Sequence, residues 1–175
     1  MLKKILLVVT LVIVGLLIAA AFKSPDFRIT RRAVISAAPA AVFAQVNDLH
    51  QWQTWSPWEK LDPAMTRRFS GPAAGVGASY AWAGDRKVGK GHMTITDSRA
   101  PELVKLRLDF ESPMESTCDS VFELKPDGNQ TAVTWTMSGK NNFVGRLFCM
   151  FLNMDKAVGA QFEEGLANLQ KATRH

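Results

Sequence analysis

A change of hydrophobic period sets the limits on how this chain folds. Over residues 103–111, Val104, Leu106, Leu108 and Phe110 face one way and Lys105, Arg107, Asp109 and Glu111 the other. Such alternation is the mark of a half-buried antiparallel strand. Residues 116–125 continue it with Cys118, Ser120, Phe122 and Leu124 on one face, before the turn-forming run Pro126-Asp127-Gly128-Asn129. Residues 131–138 then set Val133, Trp135 and Met137 against Ala132, Thr134 and Thr136. From residue 143 to about 172 the period rises to between three and four. Leu147, Phe151, Met154, Val158, Phe162, Leu166 and Leu169 form one stripe, which predicts a single long amphipathic helix. Gly145, Gly159 and Gly165 each weaken that helix. Close packing against a sheet, or a kink, is the expected reason. A helix with one apolar face following strands with one apolar face must bury one against the other.

The first half supplies the remaining strands. Residues 27–36, 65–70, 78–83 and 91–98 read as strands, punctuated by Gly71-Pro72, Gly75-Val76-Gly77, Gly84-Asp85 and Ala100-Pro101. Between the first two of them Pro39 suits a first helical turn, and Val42, Phe43 and Val46 recur at helical spacing. Trp52, Trp55 and Trp58 follow at intervals of three, so three of the five tryptophans crowd one corner. That mass is either a core corner or one wall of a ligand cavity. The order is therefore strand, helical corner, about six antiparallel strands, and one long helix. This is an α+β grip, and one helix leaves a gap at one end of so large a curved sheet.

The first 22 residues stand apart. After Lys3 and Lys4, residues 5–22 carry no charge. As a helix they span about 27 Å, close to the hydrocarbon thickness of a bilayer. Ala19-Ala20-Ala21 offers a signal-cleavage site, but the run exceeds the usual signal core of about 7–15 residues. The expected organisation is a transmembrane anchor over 1–23, a short linker over 24–27 and one domain over 28–175. Lys3 and Lys4 favour a cytoplasmic N-terminus, with the domain on the extracytoplasmic (periplasmic) side. Lys23, Arg28, Arg31 and Arg32 oppose this, although long domains translocate largely regardless of charge. The formal charge of +5 is mostly the anchor's: without Lys3, Lys4 and Lys23, 18 basic residues face 16 acidic ones. No basic stretch interleaves with aromatics as a nucleic-acid face requires, so no nucleic-acid partner is expected.

Few residues carry chemistry. Cys118 and Cys149 lack metal spacing and a neighbouring histidine, and unpaired thiols are expected. His50, His92 and His175 form no ligand pair, and His92 is opposite in parity to Met93 and Ile95, so it faces solvent. The glycine-rich run from Gly71 to Gly77 lacks the strand-then-helix setting of a phosphate loop. Tyr80, by parity with Trp82, and Asp97, by parity with Met93 and Ile95, are the titratable groups expected on the inner face. Asp48, Glu59 and Asp62 around the tryptophan corner suit capping or turn roles. No catalytic constellation, metal site or cofactor is expected.

The succession Ile35-Ser36-Ala37-Ala38-Pro39-Ala40-Ala41-Val42-Phe43, then Asn47-Asp48-Leu49 and Trp52, resembles the START-like, Bet v 1-like (SRPBCC) superfamily. Its bacterial polyketide cyclase/dehydrase and lipid-transport branch is the nearest in pattern. Trp55-Ser56-Pro57-Trp58, Gly89-Lys90-Gly91-His92-Met93-Thr94-Ile95 and the run from Met154 to Leu169 agree with it, so the likeness spans about residues 28–172. The resemblance implies a helix-grip fold, with a cavity between a curved antiparallel sheet and the long C-terminal helix that it wraps. The periodicities then nominate the walls. Tyr80, Trp82, Met93, Leu106, Leu108, Phe110, Phe122, Trp135 and Met137 fall on the sheet side, and Phe151, Met154, Val158 and Phe162 on the helix side. Such residues suit an adaptable apolar pocket and equally a filled core. The expected function is a membrane-anchored module for a lipid or other small hydrophobic ligand. A polyketide cyclase/dehydrase-like enzyme and a non-catalytic interaction domain with a filled cavity are the alternatives.

Overall fold

The computed structural model describes residues 1–174, and His175 lies outside them. A long helix α1 (Leu2–Phe22) leads into β1 (Asp26–Ile35), α2 (Pro39–Asn47), the short turn α3 (Trp52–Trp55) and a 3-10 turn over Pro57–Lys60. Then come β2 (Thr66–Ser70), β3 (Ser79–Ala83), β4 (Lys90–Arg99), β5 (Leu103–Ser112), β6 (Ser116–Asp127) and β7 (Gln130–Lys140). Two helices, α4 (Phe143–Phe151) and α5 (Met154–Ala172), close the chain. The strands form one antiparallel sheet in the order β1-β7-β6-β5-β4-β3-β2.

Residues paired across a sheet point to the same face, so the register turns alternation along each strand into rows across it. One row runs Ile29, Met137, Ser120, Leu106, Ile95. The next runs Phe27, Gly139, Cys118, Leu108, Met93, Tyr80, Phe69. These rows form the concave face, over which α5 lies, with Phe162, Leu166 and Leu169 fully buried. Gly165 permits the contact: a Cβ there would stand 2.8 Å from Cζ3 of Trp135 and 3.2 Å from Cδ of Pro57. Close packing is thus the reason for this glycine. Gly159 meets the guanidinium of Arg31, which bridges Asp155 at 3.1 Å and Glu163 at 2.7 Å and ties α5 to the sheet edge.

Three expectations need correction. The C-terminal helix is two helices, broken at Leu152-Asn153. Asn142 and Asn153 are both N-caps, their side chains accepting from the backbone N–H of Gly145 at 2.8 Å and of Lys156 at 3.0 Å. An asparagine that satisfies the free N–H groups of a new helix competes with continuing the old one. Asp97 is not on the inner face. A register irregularity between Ile95 and Asp97 leaves Thr96 unpaired and reverses the alternation, so Asp97 pairs with exposed Lys105 on the outer face. The turn after β6 is tighter than expected, because the strand carries on through Pro126 to Asp127.

The tryptophan corner is tied down by its own ring nitrogens. Trp52 Nε1 donates to Val46 O at 2.9 Å and Trp55 Nε1 to Gln45 O at 3.2 Å, fixing α3 beneath the end of α2. At the opposite end of the sheet only Lys23, Ser24 and Pro25 separate α1 from β1. Antiparallel order brings the loops 84–89, 113–115 and 141–142 to this same end. There α4 packs against α1, with Arg146 Nη1 donating to Ala21 O at 3.0 Å.

Candidate functional site

Eleven of the thirteen nominated wall residues share the concave space, and the centre of that space is occupied by side chains. Trp135 stacks on Phe162 of α5 with ring centroids 4.0 Å apart and planes 1° from parallel. Phe122 also stacks on Trp135, at 4.6 Å and 28°. Trp52, Trp55 and Trp58 approach Trp135 edge-on at 6.4, 5.8 and 5.8 Å. Offset and edge-to-face contacts of this kind hold an aromatic core rigid. Met93, Leu106, Leu108 and Met137 are buried around it, while Trp82, Phe110 and Val158 are half-buried towards the α1 end. Phe151 and Met154 are not brought to this space. They are exposed at the break between α4 and α5.

Tyr80 is buried, and its hydroxyl donates to Oε1 of Glu59 at 2.6 Å. The second oxygen of Glu59 accepts from Nε of Arg67 at 2.8 Å, and Arg67 Nη1 also donates to Met65 O at 2.9 Å. Burial, and then the carboxylate that accepts its proton, pushes the Tyr80 phenol well above the usual tyrosine range. Arg67 is held charged by the hydrogen bond to Glu59. Glu59 therefore does not cap a turn as expected. It straps the 3-10 turn to β2 and β3, and both its oxygens are committed. Parity along β2 carried a signal for Arg67, which shares the face of Phe69. Nothing local pointed Glu59 at a tyrosine 21 residues on.

The other polar candidates lie elsewhere. His50 stacks on Phe69 at 4.1 Å with Nδ1 2.9 Å from Asp48 Oδ1, beside an opening of about 190 Å³ lined by Leu49, Phe69, Pro72 and Ala78. His92 sits on the outer face between Asp109 at 3.5 Å and Glu111 at 3.9 Å. Cys118 and Cys149 are unpaired, and burial pushes the Cys118 thiol up to about 12, far from a reactive thiolate. Among the described residues no three His, Cys, Asp or Glu side chains gather as around a metal ion.

A larger opening of about 460 Å³ lies at the α1 end, between the start of β1 and the α4–α5 break. Phe27, Cys149, Phe151, Leu152 and Met154 supply its apolar wall, and Lys23, Asp26, Asn141 and Asn153 its polar rim. The ring of Phe27 packs against Gly139, where a Cβ would stand 3.0 Å from it and 2.9 Å from the Cβ of Cys118. Phe27 thus lines the opening and also belongs to the second of the two concave rows. The volume falls in the range of small-molecule sites, about 300–1,000 Å³.

A seven-stranded grip over a C-terminal helix, entered through an alanine–proline helix, is matched at family level. The sequence profile described as "Polyketide cyclase / dehydrase and lipid transport" matches residues 26–174. The chain belongs to this family. Solved structures agree on the Bet v 1-like fold of this family member. A protein of Chromobacterium violaceum is 13% identical with a TM-score of 0.61, covering 86% of this chain and 98% of its own. The Aha1 dimer of Colwellia psychrerythraea is 18% identical with a TM-score of 0.59, over 84% and 96%. Ara h 8.0201 is 9% identical with a TM-score of 0.55, over 85% and 94%. At such identities the likeness concerns the fold alone. No curated protein matches the sequence. A family fold of this kind is compatible with binding a small hydrophobic ligand.

Proposed function

We propose that this family member is a membrane-anchored module that holds a lipid or other small hydrophobic molecule at the anchor-side end of its grip. The observation that carries this reading is the opening of about 460 Å³ between β1 and the α4–α5 break, immediately beside the end of α1. The 21 residues of α1 form a helix of about 32 Å with almost no buried surface, enough to cross a bilayer. The three residues that follow reach about 10 Å when extended, so the mouth of the opening stays at the headgroup layer. An acyl chain or comparable group lies against Phe27, Phe151, Leu152 and Met154, with its polar end towards Lys23, Asn141 and Asn153. Lys3 and Lys4 favour a domain on the extracytoplasmic side.

A second reading, an interaction domain with a filled grip, draws support from the Trp135–Phe162 stack. One experiment separates the two. The full chain is extracted from membranes into nanodiscs, and its contents are read by native mass spectrometry and lipid extraction. A stoichiometric hydrophobic ligand, lost in Leu152→Trp, supports binding at the opening. An empty protein whose melting temperature no lipid or hydrophobe shifts refutes binding and favours the filled-grip reading.

A further inference from the structure

Beyond α1, ten large apolar side chains are exposed among the described residues, and six of them fall within residues 143–154. They are Phe143, Val144, Phe148, Phe151, Leu152 and Met154. Phe148 is 55% and Phe151 69% exposed. On α4, Phe143, Val144, Phe148 and Phe151 occupy one side of the helix, while Gly145, Arg146 and Cys149 turn towards the protein. A contiguous patch of this kind on a surface helix marks something that covers it.

What covers it is indicated by how α4 is held. Arg146 Nη1 donates to the carbonyls of Ala21 at 3.0 Å and Lys23 at 3.4 Å, and Lys23 Nζ donates to the carbonyl of Cys149. The last turn of α1 and the middle of α4 are thus joined from both sides. A cation–π contact of Arg146 with Phe143, 5.5 Å from the ring centroid, continues the same junction. If α1 crosses a bilayer, α4 cannot leave the headgroup zone. Its apolar side is then continuous with the apolar surface of α1, and the cations of the junction, Lys23 after α1 and Arg146 on α4, sit where lipid phosphates do.

We propose that α4 is an in-plane membrane helix, with Val144, Phe148, Phe151 and Leu152 inserted at the acyl–headgroup boundary of the bilayer that holds α1. This rests on reading α1 as membrane-spanning. The consequence is that the opening at the α4–α5 break faces the leaflet rather than bulk water. A lipid tail reaches Phe27 without crossing solvent, and α4 forms the side of the entry.

The test uses the full chain in phosphatidylcholine vesicles containing a minor share of phosphatidylglycerol. A Cys149→Ser background removes the accessible thiol, and an environment-sensitive fluorophore is attached at Phe148→Cys, Phe151→Cys, Val12→Cys or Val76→Cys. All four positions are exposed, so labelling requires no repacking. Matching melting temperatures verify that each variant is folded. The expected result is deep spin-label quenching at position 12, and shallow spin-label quenching at 148 and 151 with several-fold protection from aqueous iodide relative to 76. If position 12 is protected while 148 and 151 are as iodide-accessible as 76, the in-plane helix is refuted and the anchor stands. If position 12 is itself accessible, the anchor fails and the inference falls with it.

Discussion

Tyr80 shows how much one residue's role depends on a partner far away in the chain. It is the only tyrosine, so the near-ultraviolet titration of phenolate reports this group alone. Its folded-state pKa is raised by burial and by the bond to Glu59. The stability this contributes is complete below the unfolded value of about 10 and is lost as pH climbs towards the folded value. Above pH 10 the unfolded chain releases the proton that the native state keeps. Stability then falls by about 1.4 kcal/mol per pH unit from this group. Alkaline denaturation curves should be steeper in the parent than in Tyr80→Phe by that amount, while the slope from the raised Cys118 thiol persists in both. Glu59→Gln removes the charge partner of Arg67. The Glu59 side chain is 7% exposed and that of Arg67 23%, so water offsets part of the loss. A decrease of about 2 kcal/mol is expected, below the 3–5 kcal/mol of a fully buried pair, and urea unfolding in detergent measures it. Parity was enough to place Tyr80 on the inner face. It could not supply Glu59, because a turn residue has no period.

At the scale of elements, the strands were legible because each buries one face, and burial on one face writes a period of two into the sequence. The bulge at Thr96 defeats this locally, since one unpaired residue reverses every side chain beyond it, and Asp97 with them. The C-terminal stripe was misleading in another way. Phe151 and Met154 keep helical spacing with Val158 and Phe162, yet Asn153 starts a new helix between them. Asn153→Ala should cost about 1 kcal/mol through the lost bond to Lys156 N, read as a lower melting temperature. Gly165→Ala separates propensity from packing. Alanine favours a helix by about 1 kcal/mol over glycine, but here its Cβ would stand 2.8 Å from the Trp135 ring. A net loss of about 1–2 kcal/mol is expected, again by thermal melting.

At the scale of the molecule, α1 and the grip form one device only if the bilayer is its third component. The full chain should remain with membranes through an alkaline carbonate wash. In spheroplasts, added protease should cut the domain if it lies on the extracytoplasmic side; complete protection would reverse the proposed orientation. The domain's own stability lies elsewhere, in the aromatic stack from Phe122 through Trp135 to Phe162. What the amino-acid sequence determined alone is whatever burial repeats along the chain. That covers seven strands, the alanine–proline helix, the tryptophan corner, an apolar stripe for the sheet and an uncharged run long enough for a bilayer. Only the tertiary structure decided that the centre of the grip is filled and that Glu59 joins Tyr80 to Arg67. It also decided that Phe151 and Met154 turn outwards beside α1. Each of these depends on register, on capping, or on contacts between residues far apart in the chain, and such contacts leave no periodic trace.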